Sequence, residues 1–118
     1  MIKTPLAPKH FDALRKFKAG IFKVLAHSTR IHIIEILSSG ELSVGAILEQ
    51  VNAGPANLSQ HLSILRQNHL VVTRGNGNHV LYSLRDPLLA DVLNAMRKYF
   101  QKHFDDSIEM LKQMERFR

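Results

Sequence analysis

Residues 70–84 read LVVTRGNGNHVLYSL, two β-rich runs on either side of Gly75–Asn78. Gly and Asn accept the backbone angles of a tight turn, so Gly-Asn-Gly-Asn between two such runs predicts a β-hairpin. The pattern on both sides of it is helical. That combination restricts the chain to a mainly α (α+β) fold in which helices carry one projecting hairpin. The order reads helix, helix, short helix, helix, hairpin, long helix, which is a winged helix-turn-helix arrangement.

The helices follow from periodicity. Phe11, Leu14, Phe17, Ile21, Phe22 and Leu25 recur at helical spacing with a wide apolar face. Ser28 or Thr29 is expected to cap a second helix with Ile33, Ile34 and Leu37 inward, stopped by Gly40. Ser43 is the expected N-cap of a short third helix after a strand-like entry, with Val44, Ile47, Leu48 and Val51 on its buried side. Pro55 suits the first position of the next helix, where its missing N–H costs nothing. Asp86 and Pro87 open the last one, and Leu89, Val92, Leu93, Met96, Phe100, Phe104, Ile108, Leu111 and Met114 form its seam.

These signals give one domain over residues 1–118. The helix-turn-helix falls at about 43–68, the wing at about 71–84, and outer helices at about 9–26 and 87–115. The outer helices are too apolar for so small a core, and they are expected to pair with a second copy of the chain.

The fourth helix carries the functional signal. With Leu58, Leu62 and Leu65 inward, an advance of roughly 100° per residue puts His69 at the next inward position. Ala56, Gln60, Ser63 and Gln67 then point outward, with Asn57 and Ser59 on the shoulders. Solvated helix faces usually carry Glu and Lys, and this helix has neither. Its outer face suits a DNA major groove. Gln and Asn pair with adenine, Ser donates or accepts, and Ala meets a thymine methyl.

Charge agrees. Lys and Arg number 16 against 10 for Asp and Glu, a formal charge of +6, and no acidic residue occurs between Glu49 and Asp86. Such a segment suits a polyanion. Candidate DNA-binding residues are therefore Ala56, Asn57, Ser59, Gln60 and Ser63 for bases, Arg66 and Arg74 for phosphate, and Asn76 and Asn78 at the wing tip beside His79. A protein-interaction module that kept this fold without binding DNA is the competing reading, and the acid-free segment argues against it.

Other classes lack their residues. There is no cysteine, which removes disulfides, thiolate metal sites and thiol redox switches. No nucleophile–base pair or phosphate-binding loop points to an enzyme. No apolar run reaches membrane-span length, and no secretory signal pattern opens the chain, so a cytoplasmic protein without membrane or cofactor is expected. His61 is expected as a hydrogen-bonded structural group at the edge of the buried face.

KVLAHSTRIHIIEIL, ELSVGAIL, NLSQHLSILRQNHLV and GNHVLYSL, in this order, resemble the ArsR/SmtB family of bacterial winged-helix repressors from about Phe17 to Asp86. The resemblance implies a homodimer through the first and last helices. It also implies binding to a double-stranded operator of imperfect two-fold symmetry, and repression until a signal releases it. The family's metal sites have no counterpart. Where sensing relatives carry cysteines, Leu42, Val44 and Gly45 offer no ligand. Where others carry Asp-x-His and then His-x-x-His on the last helix, this chain has Asp86 and Leu88, then Tyr99 and Lys102. No metal is expected. A small organic effector would need an apolar dimer cavity such as Phe11, Phe100 and Phe104 would line.

Overall fold

The computed structural model describes residues 7–117. The elements run α1 (Pro8–Leu25), α2 (Ser28–Leu37), β1 (Leu42–Ser43), α3 (Val44–Gln50), α4 (Pro55–Gln67), β2 (Val71–Asn76), β3 (His79–Leu84) and α5 (Leu88–Arg116). The fold is the expected one, mostly helical with a small antiparallel sheet. The wing has its predicted bounds, and the two outer helices shift by a single residue. The chain forms two compact units, Met1–Arg85 and Asp86–Arg118. Among the described residues no helix is long and apolar enough to cross a membrane.

The core belongs to the first unit. Ile33, Ile34 and Leu37 of α2 are buried with Ile47 of α3, Leu58, Leu62 and Leu65 of α4, and Val71 of β2. Each such aliphatic side chain, fully buried, contributes about 1.5–3 kcal/mol. On α3 the buried side is narrower than expected, because Ile47 and Val51 are enclosed while Val44 is exposed. The Ser43 cap is present, its Oγ accepting the Ala46 N–H at 3.2 Å. The α2 cap differs from expectation. The helix already starts at Ser28, with His27 as the cap residue and no side-chain bond to the backbone. At the start of α5, the Asp86 carboxylate accepts the Leu88 N–H at 2.9 Å, and Pro87 stands at the cap with helical angles.

His69 does not continue the inward stripe of α4. The helix stops at Gln67, and His69 takes φ 58°, is exposed, and turns the chain toward β2. Its N–H bonds the Arg66 carbonyl at 3.0 Å, and the next N–H, of Leu70, bonds the Leu65 carbonyl at 3.0 Å. This is the Schellman ending of a helix, with histidine at the left-handed position that glycine usually fills.

The sheet order is β1-β3-β2, antiparallel throughout. Leu42 and Ser43 pair with Tyr82 and Leu81, while Arg74 pairs with the other edge of Leu81. The hairpin closes at Asn76 opposite His79, leaving Gly77 and Asn78 as a two-residue loop. Gly77 has φ 63°, as the first loop position of a type II′ turn requires.

The apolar faces of the outer helices stand open. α1 buries only Leu25, with Phe11, Phe17 and Phe22 exposed. Among the described residues none of α5 is buried, and Phe104 is 63% exposed.

Candidate nucleic-acid interface

α4 is fixed from beneath by its three leucines, and this decides what its outer side presents. Ala56, Asn57, Ser59, Gln60, Ser63 and Arg66 are all exposed. The face is thus the one the periodicity predicts, small and uncharged until Arg66 in the last turn. Gln67 Nε2 donates to Ser63 Oγ at 3.4 Å, a long bond that leaves both groups free to exchange partners. No side chain caps the N-terminus of α4 at Gly54. The first-turn N–H groups therefore face outward with the positive end of the helix dipole behind them.

The wing brings Asn76, Asn78 and His79 to its exposed tip. Arg74 lies further down β2, and its guanidinium is engaged. Nε donates to Glu41 Oε2 at 2.8 Å and Nη2 donates to the other carboxylate oxygen. The pairing follows from the strand order. Arg74 stands opposite Leu81, Leu81 opposite Ser43, and Glu41 lies just before β1 on the far edge. The hydrogen bond from Arg74 holds the Glu41 carboxyl below the usual carboxylate range. The same bond holds the Arg74 guanidinium more firmly protonated. Both side chains are solvated, so this pair contributes little to folding. Sequence reasoning identified Arg74 but not its partner, 33 residues away.

His61 is half-buried and hydrogen-bonded, as expected. Its Nδ1 accepts from Arg30 Nε at 3.2 Å. The same guanidinium donates through Nη1 to the Val24 carbonyl at 2.9 Å. The His27 ring lies beside His61 with centroids 4.3 Å apart. Burial first, then the positive charges of His27 and Arg30, push the His61 imidazole below the usual histidine range. Arg30 carried no signal in the sequence, since nothing local marks a residue that will bridge two other helices.

The family model of bacterial regulatory proteins of the arsR family matches residues 27–73. That segment holds α2 through the first half of β2, including the outer face of α4. An uncharacterized HTH-type transcriptional regulator of Mycobacterium tuberculosis, Rv0081, is 38% identical over 104 residues, covering 87% of this chain and 91% of that one. Its crystal structure superimposes with a TM-score of 0.73 at 40% identity, over 80% of this chain and 96% of that chain. A biofilm growth-associated repressor of Xylella fastidiosa is 35% identical over 82 residues, 70% of this chain and 72% of its own length. The homodimeric winged helix-turn-helix DNA-binding domain of Mb0332 from Mycobacterium bovis shares the fold, with a TM-score of 0.73 at 23% identity over 88% of this chain and 95% of that one. With the winged helix-turn-helix in place and relatives matching along most of their length, the chain belongs to the arsR family of bacterial regulatory proteins and is an HTH-type transcriptional regulator.

Proposed function

We propose that the protein is a homodimeric, sequence-specific DNA-binding repressor whose residues 1–118 act as one DNA-binding domain in the cytoplasm. The observation that carries this reading is the outer face of α4. Its exposed Ala56, Asn57, Ser59, Gln60 and Ser63 form an uncharged hydrogen-bonding surface on a rigidly seated helix, within a segment free of acids. Such a surface reads base edges. Arg66, Arg74, Asn76 and Asn78 supply the flanking backbone contacts, which set register without carrying sequence information. Repression is supported by the Xylella relative, a repressor. The activity is binding, with no chemical step.

Dimerisation is supported by the open apolar faces of α1 and of α5, which a monomer would leave in water. A two-fold dimer presents two copies of α4 to half-sites about one helical turn apart. The operator expected is therefore an imperfect palindrome in double-stranded DNA.

The test is selection of bound sequences from a random duplex library at two salt concentrations. A recovered palindrome with half-sites one turn apart is the expected result. Gln60→Ala should then cost about 1–3 kcal/mol on that operator and blur preference at one base pair. Equal loss on mixed-sequence DNA would remove Gln60 from base reading. No enrichment at either salt concentration would leave the protein-interaction reading.

A further inference from the structure

One guanidinium joins three parts of the fold. Arg30, on α2, donates to the Val24 carbonyl in the last turn of α1 at 2.9 Å and to His61 Nδ1 on α4 at 3.2 Å. Val24 is among the final four residues of α1, whose carbonyls have no partner inside the helix. One bond thus satisfies a helix end, and the other reaches the residue that immediately follows Gln60. We propose that Arg30 is a positioning residue for α4, holding its DNA-facing side in place through the neutral ring of His61, and that protonation of this ring releases α4 and weakens DNA binding. This rests on the DNA-reading function proposed above.

The chemistry makes the link conditional. Arginine stays protonated throughout the ordinary pH range and is only a donor, so His61 Nδ1 has to accept. A neutral imidazole has one acceptor nitrogen, and a protonated one has none. Protonation therefore replaces a hydrogen bond with two donors and two positive charges facing each other. His27, at the cap of α2, is the other titratable group against His61. β2, which also packs on α4, brings no counter-charge there: it has no acidic residue, and its one charged side chain, Arg74, is bonded to Glu41. Burial and the neighbouring positive charges hold His61 below the usual histidine range. The ring is therefore neutral and the link intact at neutral pH and above. The link is lost as pH falls through the lowered value.

The sign of the effect separates it from general electrostatics. Positive charge gained by a protein on acidification by itself tightens binding to a polyanion. Release of α4 acts the other way, and only on binding that depends on base contacts.

The experiment measures binding of the full chain to the duplex recovered by selection, and to a mixed-sequence duplex of equal length, from pH 8 to pH 5.5. Wild type is compared with His61→Asn, whose amide oxygen stands near the position of Nδ1 and accepts without titrating, and with His61→Leu, which cannot accept. The asparagine variant should match wild type at pH 8 on the selected duplex and outbind it by about tenfold at pH 5.5. The leucine variant should be weak at every pH, and all three should respond alike to acid on mixed-sequence DNA. Parallel pH profiles for wild type and the asparagine variant on the selected duplex would overturn the link. So would a thermal midpoint that drops with acid only in wild type while operator affinity of the folded protein does not. Binding to neither duplex by any variant at pH 8 would overturn the DNA-reading function as well.

Discussion

His69→Gly should make the protein more stable, although it deletes a side chain. His69 holds φ 58° at the end of α4, where an L-residue brings its Cβ too close to the following carbonyl. That conformation costs roughly 1–2 kcal/mol, toward the lower end for histidine, which enters it more readily than most residues. Glycine removes the cost but loosens the unfolded chain, which returns about 0.4–1 kcal/mol. The net gain is about 0.5 kcal/mol, or about 1–3 °C in Tm for a domain of this size. No cap bond is lost. The two that end the helix use the backbone N–H groups of His69 and Leu70, and a third, from Asn68 Nδ2 to the Ile64 carbonyl at 2.8 Å, uses a different side chain. The assay is denaturant and thermal unfolding at one fixed protein concentration, with His69→Val as the opposite perturbation. Valine, branched at Cβ, should lower stability by about 1 kcal/mol or more. If glycine were no better than histidine, or valine no worse, backbone strain would not be what distinguishes this position.

Two further substitutions probe the elements around α4. Ser43→Ala removes the side chain that accepts the Ala46 N–H, and denaturation should register a loss of about 0.5–2 kcal/mol; an unchanged midpoint would mean solvent replaces that cap at no cost. Glu41→Gln weakens the hold on Arg74, and duplex binding should tighten with a salt slope steeper by up to about one unit, while Arg74→Ala should flatten it by a similar amount. Slopes unchanged in both variants would remove Arg74 from the phosphate contacts. Because the Glu41 carboxyl is held below its usual range, the contact it makes is complete at neutral pH and lost only as pH falls below the usual carboxylate range, through the lowered value.

Local chemistry was enough for much of the molecule. Gly77 supplies the positive φ that a two-residue hairpin loop needs, so the wing was legible to its first and last residues. Pro55 set the start of α4, Ser43 capped α3, and the spacing of Leu58, Leu62 and Leu65 fixed which side of α4 faces out. These features depend on backbone angles, caps and periodicity within one or two turns of chain. The sequence by itself therefore determined the order of elements and which face of α4 is exposed.

Contacts between distant segments were not legible. Periodicity carries α4 on through His69, yet the chain turns there because the Leu70 N–H folds back onto Leu65 and the backbone enters β2. Arg74 meets Glu41 because β3 lies between β1 and β2, a strand order that no local pattern encodes. Arg30 reaches Val24 and His61 because α1, α2 and α4 converge around its guanidinium. Each pairing joins side chains whose separation along the chain says nothing about their separation in space. Only the tertiary fold brings them together, so tertiary structure decided which groups tie α4 to α1 and α2 and which charge is already engaged.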